Sequence, residues 1–175
     1  HHFDIPGLAG AAFEFKTFTD ALKIRDAIWE RIKDEVANDM RIVIGGAGPT
    51  GVELSGELAE WLCRISKQRE RDCHVAISLV EAAPTILPGL NARVIEKVEK
   101  RLQALNVTIL AKRIIEKVID YRVQFQDGDR TSPVHMSIYE KSMALVPVME
   151  IDWMVSDCKP TLVTVNVLYG EGFQT

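Results

Sequence analysis

The chain has 175 residues, 47% of them apolar and 26% charged, with a formal net charge of -4. That is enough length for one domain with its own core, and the charge leaves no basic footprint for nucleic acid. No apolar run reaches the ~18 residues that a membrane span needs, and the start lacks the basic-then-apolar order of a secretion signal.

In chain order, Phe3 to Leu8 is a turn-rich segment, and Phe13-Glu14-Phe15-Lys16 is a short alternating stretch. Thr17 or Thr19 can cap a helix, with Asp20 in its first turn. Ala21, Ile24, Ile28, Ile32 and Val36 then make one apolar stripe to about Asn38, and Trp29 widens it. Arg41-Ile42-Val43-Ile44 reads as a buried strand. Val52, Leu54, Leu58, Ala59 and Leu62 mark the helix that follows it, and His74 to Val80 is a second strand ending at Glu81. A loop with two prolines leads to Asn91, which can cap a helix whose stripe is Val94, Val98, Leu102 and Leu105. Val107 to Leu110 is the third strand, so parallel strands with right-handed crossovers are expected.

After Ala111 the period changes. Residues 114–118 and 122–125 read as strands of an antiparallel excursion, and Gln126-Asp127-Gly128-Asp129 is a hairpin turn signal. His135 to Tyr139 is a candidate strand; residues 143–149 and 161–168 are β-rich, and 149–160 show no period. Cys63, Cys73 and Cys158 form no C-x-x-C, which predicts a reducing compartment with neither a disulfide framework nor a metal site.

Chemistry concentrates between the first two strands. Gly46-Ala47-Gly48-Pro49-Thr50-Gly51 matches G-x-G-x-x-G, set between a strand and a helix. Gly46 allows a tight turn, Gly48 lets the backbone approach a pyrophosphate, and Gly51 lets the helix lie close to the strand. The helix N-terminus offers N–H groups and partial positive charge to phosphates. A glycine turn alone can exist without any ligand. Glu81 at the end of the next strand strengthens the dinucleotide reading, because an acid there accepts from the ribose hydroxyls. It lies 30 residues past Gly51, against the usual ~20, and the polar run 66–72 absorbs the excess. Glu53 is expected on the first helical turn, where the dipole favours a carboxylate.

Three blocks carry a family resemblance: FDIPGLAGAAFEFKTFTDALKIRDAI, RIVIGGAGPTGVELSGELAE and ISLVEAAPTILPGLN. They resemble the pyridine-nucleotide-disulfide oxidoreductase superfamily, most closely the type II NADH:quinone oxidoreductases, over residues 3–125. The resemblance implies an α/β, Rossmann-like three-layer domain with a parallel sheet and an antiparallel β-meander crossover. It implies residues 1–16 as a linker from a missing FAD-binding half, 17–142 as the NAD(H)-binding domain and 143–175 as a β-rich segment. Residues 131–175 do not clearly show the small-residue turn and Gly-Asp motif that follow in the family. The absence of C-x-x-C separates the chain from the thioredoxin-reductase branch.

The function so implied is the NADH domain of an FAD-dependent NADH dehydrogenase with a quinone-like electron acceptor. Gly46, Gly48, Pro49, Thr50, Gly51 and Glu81 would hold the cofactor, and Glu53 of the G-V-E run would face the nicotinamide and flavin. Its plain alternative is a helix-start acid. The resemblance is compatible with a homodimer, and with a cytoplasmic protein peripheral to the inner face of a membrane through parts outside this chain. Two rivals remain open: another two-dinucleotide flavoprotein reductase and a non-catalytic NAD-sensing domain.

Overall fold

A computed structural model of the chain describes residues 5–33, 40–73, 75–120, 122–128 and the backbone of 136–140. In chain order the elements are α1 (Leu8–Ala11), β1 (Ala12–Phe15), α2 (Phe18–Lys33), β2 (Arg41–Gly45) and α3 (Pro49–Gln68). Then come β3 (Ala76–Val80), α4 (Ala92–Ala104), β4 (Val107–Leu110), β5 (Ile115–Ile119), β6 (Arg122–Phe125) and β7 (Met136–Glu140). The β-rich stretches expected at 143–149 and 161–168 lie outside the described residues.

Five strands form one parallel sheet in the order β1-β7-β2-β3-β4, and β5 and β6 form a separate antiparallel pair. From β1 to β4 the chain always steps the same way across the sheet. Right-handed crossovers therefore put α2, α3 and α4 on one face. Two contacts agree with this. Trp29 of α2 stacks on Trp61 of α3 at 6.5 Å, and Arg69 Nη1 donates to the Ile32 carbonyl at 2.7 Å.

Alternation along the strands divides the core in two. Ile42 and Ile44 pair with Ile77 and Leu79, and all four are at most 2% exposed. They share the helix face with Ile24, Ile28 and Ile32 of α2 and Leu54, Leu58, Leu62 and Ile65 of α3. Val43 and Val80 point the other way and pack with Val118, Val123 and Phe125 of the β5–β6 pair. Helices, sheet and hairpin are thus the three layers expected, with the hairpin inserted into the crossover from β4 to β7.

Several local expectations change. Residues 12–15, within the stretch read as a linker, form the edge strand β1. The candidate strand at 135–139 is met, over its described residues, by β7, a parallel strand seated between β1 and β2. Ile119 pairs with Arg122 where β5 and β6 meet, and the described part of the turn signal, residues 126–128, follows β6. Trp29 does not widen the buried stripe: it is 42% exposed, with the Arg69 guanidinium 5.9 Å from its ring. In α4 only the C-terminal half of the stripe is covered, Leu102 being buried while Val94 is 45% exposed.

The expectation of no disulfide is overturned as well. Cys63 and Cys73 are bonded, with their Cα atoms 4.9 Å apart. They stand ten positions apart in the sequence, but α3 ends between them and Glu70 adopts φ 56. The chain thereby turns back on its own helix and brings the two sulfurs together. No described helix is long and apolar enough to cross a membrane.

Of the two caps considered for α2, the structure selects Thr17. Its hydroxyl accepts from the Asp20 N–H at 3.2 Å, and Asp20 Oδ2 accepts from the Thr17 N–H at 3.0 Å. This is a capping box with Asp in the Glu position. The Thr17 hydroxyl also donates to Asp20 at 2.8 Å, the main reason that the Asp20 carboxyl titrates below its ordinary value of 3.8. A lowered folded-state value means stability present above pH 3.8 and lost as pH falls through that lower value. Thr17→Ala is expected to cost about 1 kcal/mol near neutral pH. Urea unfolding should show the gap closing in acid, and a pH-independent gap would refute this account of the cap. Asn91 caps α4 as anticipated, its Oδ1 accepting from the Arg93 N–H at 2.9 Å.

Candidate functional site

β2 lies between β3 and β7, and its outgoing connection runs to β3. Its carboxyl end lies at the carboxyl edge of the parallel sheet, the side on which open α/β sheets bind ligands. The glycine loop leaves from this end. Gly46 has φ 101, a conformation that costs glycine little and any side chain much. Its N–H still reaches across to the Val80 carbonyl at 2.8 Å, so the turn begins while the ladder is intact.

Gly48 caps α3 in extended conformation without any side-chain cap, and Pro49 is the first helical residue. Proline suits that position because the N–H it lacks would have no intrahelical partner. Thr50 is half-buried and Gly51 buried at the base of the turn. The 20-residue α3 directs its N-terminal dipole at this spot. A turn that carries no side chain at the cap and ends on a long helix fits a pyrophosphate.

Glu81 stands beside this loop and is tied to it. Its Oε2 accepts from the Ala47 N–H, inside the glycine loop, at 2.8 Å. Its Oε1 accepts from the Ala83 N–H, also at 2.8 Å. An ionised carboxylate has about four acceptor sites, so two backbone bonds leave capacity for ribose hydroxyls. The main chain of Glu81 is held too, by Leu110 at 3.0 Å and by the Arg113 N–H at 2.9 Å. Side chain and main chain of Glu81 together thus couple the glycine turn to the ends of β3 and β4.

Two further segments belong to the site, and spacing along the chain did not reveal them. The loop after Glu81 folds over the glycine turn: the Leu87 N–H donates to the Ala47 carbonyl at 2.8 Å, with Ile86 and Leu87 buried. The loop after β4 runs alongside residues 81–83, the Lys112 N–H donating to the Ala83 carbonyl at 3.0 Å. In the sequence the only hint of the first was a pair of hydrophobics between prolines; the second left no mark.

Glu53 stands differently from its expected place. It is the fifth residue of α3, and the first turn holds no acid, so the helix-end field that fades within one turn does not explain it. It is half-buried and lines, with Glu57, Lys97 and Arg101, a groove of about 310 Å³ between α3 and α4. A second groove of about 700 Å³ lies further along α3, beside Cys63 and Cys73. Neither is lined by Gly46, Gly48 or Glu81.

A family model described as pyridine nucleotide-disulphide oxidoreductase matches residues 1–146. Among curated proteins, the type II NADH:quinone oxidoreductase Ndh of Mycobacterium tuberculosis is 32% identical over 127 residues, 66% of this chain and 27% of that protein. The external alternative NADH-ubiquinone oxidoreductase of Yarrowia lipolytica mitochondria is 30% identical over 141 residues, 74% of this chain and 24% of its own length. The chain therefore spans about a quarter of these relatives. A solved structure of NDH2 from Plasmodium falciparum in complex with NADH superposes with a TM-score of 0.71 at 21% identity, covering 85% of this chain and 33% of that one.

Proposed function

The chain belongs to the pyridine nucleotide-disulphide oxidoreductase family, and from that premise we propose that it is the NADH-binding domain of an FAD-dependent NADH dehydrogenase. The observation that supports this most is the Glu81 carboxylate, bonded at 2.8 Å to the Ala47 N–H of the glycine turn. The turn that would hold the phosphates and the acid that would hold the ribose are thereby joined by a hydrogen bond. Bound NADH would supply a hydride, and the protein's part is to bind and position it. The α3 N-terminus with Gly46, Gly48, Pro49, Thr50 and Gly51 would take the pyrophosphate, and Glu81 the adenosine ribose. FAD, carried by a half outside this chain, would receive the hydride. A quinone-like acceptor is the reading that the names of the relatives support. A homodimer and peripheral membrane contact belong to the same proposal and rest on the family resemblance alone.

The sequence holds one G-x-G-x-x-G, at Gly46. Purified, the chain is expected to bind NADH in calorimetric titration, to show no flavin absorbance and to pass no electrons to quinone or dye acceptors. Stoichiometric bound FAD would overturn the assignment of the flavin to another part of the protein. Absence of NADH binding would overturn the proposal itself and leave the glycine loop a structural turn.

Glu53 is proposed to act on the nicotinamide end of the cofactor. Glu53→Gln in the full-length enzyme keeps the shape and removes the charge. Reduction of the flavin by saturating NADH is expected to slow by roughly ten-fold, about 1.4 kcal/mol, with the NADH dissociation constant nearly unchanged. Stopped-flow absorbance separates this from the structural reading, in which the rate holds and only thermal stability falls.

A further inference from the structure

A 2′-phosphate on the adenosine ribose needs a cation, and none follows Glu81 in Ala82-Ala83-Pro84-Thr85. The fold nevertheless brings one alongside. Arg113 donates its backbone N–H to the Glu81 carbonyl at 2.9 Å, so its side chain starts beside the residue that would bind the ribose. That side chain is engaged elsewhere. Its Nη1 pairs with Asp127 Oδ2, and its guanidinium lies 5.5 Å from the Phe125 ring. Asp127 sits in the turn leaving β6, fixed by the Gly128 N–H on the Phe125 carbonyl at 3.0 Å and the Gln126 N–H on the Ile114 carbonyl at 3.0 Å. Phe125 is buried at 4% exposure.

We propose that Asp127 is a specificity-determining residue that holds Arg113 over Phe125 and so denies a 2′-phosphate its cation. Discrimination against NADPH then has two parts. Glu81 repels the phosphate directly, and Asp127 retains the arginine that would have attracted it. The inserted hairpin, which supplies Asp127 and Phe125, thereby takes part in cofactor choice. The pair is half in solvent, with side-chain exposures of 32% for Arg113 and 50% for Asp127. An ion pair so exposed is worth at most about 1 kcal/mol, equivalent to about five-fold in affinity, and is weakened by salt.

This inference rests on the NADH-binding reading, and one set of titrations tests the two separately. The chain, Asp127→Ala, Arg113→Ala and the double variant are titrated calorimetrically with NADH and NADPH at low salt. Asp127 lies on an exposed turn, so circular dichroism and thermal melts will confirm that its replacement leaves the fold intact. Asp127→Ala is expected to tighten NADPH about five-fold and to leave NADH within about two-fold. The double variant should lose that gain. If the unmodified chain binds neither nucleotide, the NADH-binding reading fails. If it binds NADH but Asp127→Ala leaves NADPH unchanged, the role of Asp127 fails alone. A gain that survives in the double variant would assign it to another cation such as Lys112 and overturn the proposal.

Discussion

Glu81→Ala is expected to weaken NADH binding by about 10- to 100-fold. A hydrogen bond to a charged group contributes about 1.5–3 kcal/mol, and each 1.4 kcal/mol is ten-fold in affinity. Two effects combine. The ribose loses its acceptor, and the Ala47 N–H loses the partner that holds the glycine turn at 2.8 Å. The preference for NADH over NADPH should narrow in the variant, because the repulsion of a 2′-phosphate goes with the carboxylate. Calorimetric titration of both nucleotides reads this directly. If the unmodified chain binds NADPH as tightly as NADH, Glu81 is not the ribose acid. Glu81→Gln, which keeps one acceptor oxygen, should fall between the two.

The largest effect on stability is expected at a glycine far from the loop. Gly7 has φ 80, and a Cβ placed on it would sit 2.1 Å from the Val118 carbonyl oxygen. That oxygen is backbone and cannot swing aside. The neighbouring Pro6 carbonyl accepts the Val118 N–H at 2.9 Å, so separating the segments also costs a hydrogen bond. Val118 in turn packs with Val43, Val80, Val123 and Phe125. Gly7→Ala is therefore expected to lose about 3 kcal/mol or more, from positive-φ strain together with displacement of the hairpin. Its melting point should drop by roughly 6–12 °C for a chain of this size. A loss under about 1 kcal/mol in urea unfolding would mean that residues 5–8 do not dock on β5 as described.

Both residues show how the inserted hairpin is joined to the carboxyl edge of the sheet. Gly7 permits the approach that seats the hairpin, and the loop after β4 leads from Glu81 into it. Ile114, which accepts the Gln126 N–H through its carbonyl, directly follows Arg113. A shift of the hairpin would move Arg113 and, through its N–H, the main chain of Glu81. Gly7→Ala at temperatures where it remains folded should accordingly change nucleotide affinity less than Glu81→Ala does.

By itself the sequence determined what depends on near neighbours along the chain. The strand at 41–44, the glycine turn and the helix after it were legible because a β-branched apolar run, φ > 0 at Gly46 and helical spacing are local constraints. The caps of α2 and α4 were legible for the same reason, since Thr17 meets Asp20 and Asn91 meets the Arg93 N–H within a few residues. Glu81 was legible as the acid closing a strand beside a glycine turn. The tertiary structure alone decided which strands are neighbours, because strand pairing is a long-range choice that no single segment encodes. It set β7 between β1 and β2, turned Trp29 outward onto Trp61 and folded Cys73 back onto Cys63. It also moved Glu53 off the first turn, because α3 begins as early as Pro49. Most of all, it laid Arg113 against Glu81, a meeting made by the side-by-side placement of β3 and β4 and invisible to any count of residues.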